Sequence, residues 1–337
     1  MHTYKYIIFI VFFIISCEKN NSIFDSDGQA YISLCGSGEL NSKTLSVLSF
    51  NRLNGTSLGS CSQVIEELQP DIIGLQESYE MGIHIADRFN YCYSGNINES
   101  VAIFSKYPIE VISDIHCRIF LNEAVYINFF NVHLPAYPYQ PYDIRDTLIT
   151  TASQAIYQAE QARGIESSQL VSELSFCSEN MPIIVTGDFN EPSHLDWVLG
   201  AENPMSFYLQ DDISQFVVNW PTSNKMQNTG LIDAYRHLYP NPISNTGYTW
   251  TPNISLGEVH DRIDFIYFNN SSFLDLDLVS IVGPDDVSDV MIDNYESDHR
   301  GVFAVFNIDL SNLNVCKFCN SSSCCSDIGT ENCCCFP

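Results

Sequence analysis

Positive charge is what this chain has least of. Its 337 residues carry 14 Lys and Arg against 41 Asp and Glu, a formal net charge of −27. So few cations exclude gripping a polyanion through many Lys and Arg contacts, and there is no dense basic strip of the kind that tracks nucleic acid. If the chain acts on phosphates, divalent cations must supply much of the positive charge. Charged residues of both signs make up only 16%, below the usual quarter, so the imbalance does not imply disorder through self-repulsion. The acid excess suits a soluble protein in a salty, cation-rich medium. No apolar run approaches the roughly 20 residues that cross a bilayer. No long apolar hairpin is available for membrane insertion, and no internal repeat is visible. Hydrophobic residues at 45% and aromatics at 12% are those of an ordinary globular chain, long enough for one large domain or two small ones.

The ends differ from the middle. His2 and Lys5 lead into an apolar run over residues 6–15, the pattern of a secretory signal peptide. Residues 1–17 are therefore read as a signal peptide, and the mature chain is expected to be secreted or held at the cell surface. Ile14-Ile15-Ser16-Cys17 also resembles a bacterial lipobox, whose lipidated cysteine would attach the chain to a membrane; ordinary cleavage near Ser16 is the equal alternative. Residues 18–44, rich in Asn, Ser, Gly and Asp, read as a tether, 45–308 as the main domain and 309–337 as a cysteine-rich tail. Of 13 cysteines, seven crowd that tail: Cys316, Cys319, Cys324, Cys325, Cys333, Cys334 and Cys335. Behind a signal peptide, disulfides are the leading interpretation. Zinc at Cys316-x-x-Cys319, S-acylation and disorder are the alternatives.

Between the ends, β-branched runs bounded by Gly, Pro, Asn or Asp predict strands over 45–50, 71–75, 101–104, 124–132, 183–186, 263–268, 276–282 and 302–308. Residues 60–68 predict a helix with Val64, Ile65 and Leu68 on one face. A longer helical stretch over 147–176 is expected to break near Gly164, and 193–199 to form a short helix. Many strands with few helices predict a two-sheet α/β sandwich flanked by helices.

The polar residues at the ends of those runs share a chemistry. Asn51 follows the first, Gln76-Glu77 the second, His133 the run ending at 132, and Gly187-Asp188-Phe189-Asn190 the run ending at 186. Asp264 lies within 263–268, and Ser297-Asp298-His299 precedes the last. Alone, an Asp or Asn there reads as a turn residue, Glu77 as a surface residue and His133 as a satisfied core histidine; together they suit a divalent cation and a phosphate. A hard cation such as Mg2+ takes oxygen ligands, for which Asn51, Glu77 and Asp298 are the candidates. Asp188 can accept a proton from attacking water, and Asn190, on the same face of an extended segment, can hold the water or a phosphate oxygen. His133 and His299 can donate to developing negative charge, and Asp264 is the expected partner that orients His299.

These segments resemble the endonuclease/exonuclease/phosphatase superfamily, the deoxyribonuclease I-like fold. The matching pieces are Leu48-Ser49-Phe50-Asn51, 70–77, Asn131-Val132-His133-Leu134, 187–190, Tyr248-Thr249-Trp250, 261–267 and Ser297-Asp298-His299, in the family's order across 45–308. The resemblance implies a four-layer α/β sandwich, two packed mixed sheets between helices. It also implies a divalent metal (Mg2+, or Mn2+ or Ca2+) and hydrolysis of a phosphoester by direct water attack. Carried over residue by residue, Glu77 resembles the metal-binding glutamate. Asp188 and Asn190 resemble the pair that positions the nucleophile, Asp264 with His299 the catalytic pair, and Asp298 the acid beside the metal. Asn51 and His133 resemble phosphate- or metal-contacting residues. Arg145, Trp250 and His260 are further substrate-contact candidates, although Arg145 is as well explained by an ion pair with Asp143 or Asp146.

The first expectation is thus an exported, metal-dependent phosphodiesterase or phosphatase that forms no stable nucleic-acid complex. A secreted DNase-like endonuclease is the enzyme alternative. The non-enzyme alternative is a dead binding or adhesion protein, against which the intact set of Asn51, Glu77, His133, Asp188, Asn190, Asp264, Asp298 and His299 weighs.

Overall fold

The computed structural model describes residues 40, 43–122, 125–178, 181–201, 217–253 and 258–309. The signal-peptide and cysteine-tail expectations lie outside them. The fold is the expected four-layer α/β sandwich. A seven-stranded sheet runs in the order β12 (Val290–Met291), β11 (Leu274–Gly283), β13 (Gly301–Ile308), β1 (Thr44–Asn51), β2 (Ile72–Gln76), β4 (Ala102–Ser105), β3 (Cys92–Gly95). A six-stranded sheet packs on it in the order β5 (Ile109–Ser113), β6 (His116–Phe120), β7 (Tyr126–His133), β8 (Ile183–Asp188), β10 (Asp264–Asn269), β9 (Leu231–Asp233). Both sheets are mixed: β1–β2 and β7–β8 are parallel, and β1–β13 and β8–β10 antiparallel.

Strand alternation builds the layers. On β1, Leu45 and Val47 join Ile72, Phe129, Ile184 and Ile266 in the core between the sheets, while Leu48 and Phe50 turn outward. There they meet Val64 and Ile65 of α1 (Leu58–Leu68) and Ile85 of α2 (Met81–Phe89). On the far side, Phe130, Val132, Val185 and Phe265 pack under Leu170 and Leu174 of α4 (Ala152–Leu174) and Met226 of α5 (Pro221–Asn228). The short helices α3 (Gln140–Arg145) and α6 (Ala234–Leu238) sit in the connections. Ser57 and Thr151 cap α1 and α4 through their side chains, satisfying end amides that no turn of helix can.

Three expectations are corrected. Helix α4 starts at Ala152 and runs unbroken through Gly164. Gly164 is buried, and its carbonyl accepts from Lys225 Nζ on α5 at 3.3 Å, so packing outweighs the roughly 1 kcal/mol that glycine costs a helix. Residues 193–199 form turns rather than a helix, with Trp197 buried edge-on against Trp220. The end of the expected tether belongs to the sandwich: Leu40 is buried and its N–H donates to the Leu121 carbonyl at 2.8 Å, and Thr44 opens β1.

Candidate active site

The inward-facing residues of the central strands change character along their length. β1 presents Leu45, Val47, Ser49, then Asn51; β2 presents Ile72, Gly74, then Gln76. β7 presents Ile127, Phe129, Asn131, then His133; β8 presents Ile184, Thr186, then Asp188. β10, running the other way, begins at Asp264. Each face is apolar at one end, carries small or amide groups in the middle, and ends in acid, amide or imidazole. The middle groups bond across the sheets. Gln76 Nε2 donates to Asn131 Oδ1 at 2.6 Å, Thr186 Oγ1 to the same oxygen at 3.1 Å, and the Gly187 N–H to Ser49 Oγ at 3.0 Å. Gly74 is needed here because a Cβ would collide with Thr186 and Asn131. This polar layer was not singled out from the sequence, although the period-two pattern running on through Ser49, Asn131 and Thr186 is its signal.

Register then assembles the end groups. Asp188 is the direct partner of His133 on parallel β7 and of Asp264 on antiparallel β10. Asp188, 1% exposed, accepts from Asn51 Nδ2 at 2.9 Å through Oδ2 and from the Asn190 N–H at 2.9 Å through Oδ1. Its Oδ2 also faces His133 Nε2 at 3.5 Å and His299 Nε2 at 3.7 Å. His133 is set by Ser100, whose Oγ lies 2.5 Å from Nδ1. Asn190 sits in the left-handed region at φ 50°, which Asn tolerates, and its Nδ2 donates to the Leu134 carbonyl.

His299 meets its expected partner: Nδ1 and Asp264 Oδ2 are 2.9 Å apart. Burial alone would lower this imidazole, but the Asp264 and Asp188 carboxylates outweigh it and push it up to about 10. Asp264 is itself raised, by burial first, with His299 opposing. The proton belongs on the imidazole, which two carboxylates flank, so His299 is a cationic donor. Trp250 bridges the backbones of Asp261 and His299, and its ring lies 4.9 Å from the imidazole. Tyr295 Oη donates to the His299 carbonyl at 2.6 Å, and Ser297 Oγ to the Asn51 carbonyl at 2.6 Å, fixing the 297–299 turn to β1.

Glu77, at φ 55°, accepts from Asn51 Nδ2 at 3.3 Å and from the Asn54 N–H at 2.5 Å. Half-buried Asp298 is raised by burial first, with Glu77 and Asp188 adding to the effect against His299. Its Oδ1 is buried without a hydrogen-bond partner, as is Asp264 Oδ1. An orphaned carboxylate oxygen near a second carboxylate fits a hard divalent cation, so Glu77, Asp298 and the Asn51 amide suit one. Asp188, Asp264 and His299 also lie close enough to share an ion, with ligand atoms within 4.8 Å, but there the His299 imidazolium already supplies the positive charge.

The other substrate-contact candidates are otherwise occupied. Arg145 pairs with Asp146 through Nε at 2.8 Å and Nη2 at 2.9 Å and covers the Tyr142 ring. His260 is buried, with Nδ1 3.0 Å from the Thr251 carbonyl. Trp250 Nε1 donates to Tyr142 Oη at 3.1 Å.

Comparison with known proteins agrees with this geometry. The endonuclease/exonuclease/phosphatase family profile matches residues 48–299, and the chain belongs to that family. An uncharacterized protein of Caenorhabditis elegans is 23% identical over 330 residues, spanning 88% of this chain and 97% of its own. Among solved structures, an AP endonuclease from Archaeoglobus fulgidus superposes with a TM-score of 0.51 at 17% identity, covering 78% of this chain and 100% of that one. Humanized D. rerio TDP2 superposes with a TM-score of 0.50 at 16% identity, covering 79% and 100%. These likenesses show the fold.

Proposed function

We propose that the protein is an exported, divalent-metal-dependent phosphoester hydrolase that works by in-line attack of water. The observation carrying this reading is Asp188. It is buried, it accepts from Asn51 and Asn190, and it lies between two imidazoles, one of them made cationic by Asp264. Water held against Asp188 loses its proton to that carboxylate as it attacks phosphorus, the ester P–O bond opposite it breaks, and the departing alcohol takes up a proton from solvent. His299, oriented by Asp264, donates to the negative charge that builds on the phosphoryl oxygens, and His133, held by Ser100, is placed to do the same. A divalent cation on Glu77, Asp298 and Asn51 would act as Lewis acid and charge partner for the phosphate.

Export is supported by the signal-like N-terminus and by Cys92, which is held in a disulfide while Cys61, Cys117 and Cys177 are free. On this reading the mature chain is free in the medium or attached through a lipid on Cys17, and it forms no stable nucleic-acid complex. The test is purified protein with Mg2+, Mn2+ or Ca2+ against plasmid DNA, RNA, bis-p-nitrophenyl phosphate, sphingomyelin and inositol phosphates. Loss of all turnover in chelator is expected, and inactivity on every substrate with every metal would refute the reading. Thiol alkylation with mass spectrometry on the exported chain tests the cysteine tail: free thiols at all seven positions would reject disulfides there.

A further inference from the structure

Asn-x-Ser/Thr is the acceptor motif for N-linked glycans, and in an exported chain it marks a surface loop. Four such motifs lie wholly within the described residues: Asn54-Gly55-Thr56, Asn98-Glu99-Ser100, Asn269-Asn270-Ser271 and Asn270-Ser271-Ser272. The fold separates them. Asn269 is half-buried and its amide is spent, Nδ2 donating to the Met181 carbonyl at 3.0 Å and Oδ1 accepting from the Ile183 N–H at 2.8 Å. A sugar on that nitrogen would have to fit between β10 and residues 181–183. Asn270 is exposed in the turn after β10, and the other end of that strand carries Asp264, so Asn270 lies away from the site.

Asn54 and Asn98 are exposed in turns, one between β1 and α1 and the other between β3 and β4. Neither Nδ2 is engaged among the described residues. Asn54 meets Arg52 Nη2 through Oδ1 at 3.4 Å, and Asn98 is tied through its backbone N–H, to Asn96 Oδ1 at 2.9 Å. Both turns close on one carboxylate residue. The Asn54 N–H donates to Glu77 Oε2 at 2.5 Å, and the Glu77 N–H donates to Ser100 Oγ at 3.1 Å. The Tyr79 N–H then donates to the Glu99 carbonyl at 3.2 Å. We propose that the exported protein carries N-linked glycans on Asn54 and Asn98, which flank Glu77 and hold bulky phosphoesters away from the site while admitting small ones. This rests on the export and hydrolase reading and adds a limit on substrate size. Of the two N-terminal alternatives it requires ordinary cleavage near Ser16, and the route is eukaryotic, as is the relative from Caenorhabditis elegans. The donor is an oligosaccharide carried on a lipid pyrophosphate. Nδ2 bonds its anomeric carbon, the bond from that carbon to the pyrophosphate oxygen breaks, and Nδ2 gives up one proton. Ser100 serves twice, completing the motif in the unfolded chain and facing His133 Nδ1 in the folded one.

The test is the full chain, expressed with its own N-terminus in eukaryotic cells that build only high-mannose glycans. Mass spectrometry of the exported protein reads occupancy at each motif. Endoglycosidase H then trims every glycan to a single sugar on the folded protein. Turnover with Mg2+ is compared on methyl p-nitrophenyl phosphate and on the same ester coupled through its alkyl group to dextran. Occupied Asn54 and Asn98 are expected, with trimming raising kcat/KM severalfold on the dextran ester and leaving the methyl ester unchanged. Asn54→Gln combined with Asn98→Gln, which leaves Ser100 and Asn270 in place, is expected to match the trimmed protein. Exported protein bare at either position overturns the proposal and leaves the hydrolase reading standing. Trimming that moves both esters alike, or neither, overturns the limit on size. A chain that stays in the cytosol overturns export and the glycans with it. No turnover of either ester with Mg2+, Mn2+ or Ca2+ overturns the hydrolase reading and the size limit, while occupancy still decides the glycans.

Discussion

Asn51 and Asp188, 137 residues apart, are joined by a buried hydrogen bond of 2.9 Å that ties the last residue of β1 to the last of β8. It links the two sheets at the end where the reactive groups collect. The same amide reaches Glu77, so Asn51 keeps two carboxylates apart with a neutral donor. Asn51→Ala removes a hydrogen bond to charged groups, a cost of about 1.5–3 kcal/mol. Asn51→Asp keeps the shape but sets a third carboxylate against the other two. Thermal melts in chelator are expected to rank wild type above Asn51→Ala and Asn51→Ala above Asn51→Asp, with added Mg2+ narrowing the last gap. An Asn51→Asp protein as stable as Asn51→Ala in chelator would show that Asn51 does not separate charge.

On the proposed mechanism, Asp264 and His299 act on the same developing charge, one through the other. Removing a donor of this kind costs about 10²–10³ in rate. His299→Ala is expected to lose at least that in kcat with KM little changed, because the interaction belongs to the transition state. Asp264→Asn should fall in the same direction, since the amide neither holds the ring as firmly nor supports its charge. Steady-state kinetics on the best substrate of the panel decide this. Near-full kcat in His299→Ala would transfer the principal donor role to His133.

How much of this was legible in the sequence depends on the range of the interaction. Strands whose ends carry the site could be read, because β-branched runs and an abrupt polar terminus are local signals; β1, β2, β7, β8, β10 and β13 were all found within a residue or two. Apart from Asp264 for His299, the partners of the site residues were not. That Asp264 faces Asp188 follows from antiparallel register between segments 76 residues apart, and that Ser100 holds His133 follows from a loop with no pattern of its own. Short edge strands such as β5 and β12, and the small helices α3 and α6, offer too few residues for periodicity to register. Gly164 misled because its helix cost is local while its compensation, Lys225 on α5, is not. Arg145 was readable only as two alternatives, and the structure supplies the ion pair with Asp146.

Glu77 is the test of the cation. Glu77→Gln keeps an acceptor for only one of Asn51 and Asn54, sets its NH2 against the other, and withdraws the charge beside Asp298. The Mg2+ concentration for half-maximal activity is expected to rise by at least about tenfold, the cost of losing even an outer partner of a metal site. Activity should be partly restored by excess Mg2+. A metal titration of kcat makes the comparison. An unchanged midpoint would remove Glu77 from the cation site and leave Asp298 with Asn51.

His116 costs the fold stability in acid. Its ring is stacked 4.0 Å from Phe130 on the outer face of the second sheet, with Nε2 3.2 Å from Asn128 Oδ1. Burial, with Asn128 partly opposing, pushes it down to about 4, below the 6.5 or so of an unfolded histidine. Between those values the unfolded chain binds a proton that the folded protein refuses, so stability rises with pH. The contribution is complete above about pH 6.5 and is lost as pH falls toward 4. Two buried carboxyls act oppositely. Burial raises Glu191 and Asp261 to about 7, so in the folded state they bind protons at pH values where the unfolded chain has released them. Their contribution is lost as pH rises through 7. Wild type alone would show only the difference of these slopes, but His116→Gln removes one of them. Urea melts at intervals from pH 4 to 7 are expected to show the variant gaining on wild type as pH falls below about 6.5. A stability difference between wild type and His116→Gln that stays constant over that interval would mean that His116 is protonated in the fold as readily as outside it.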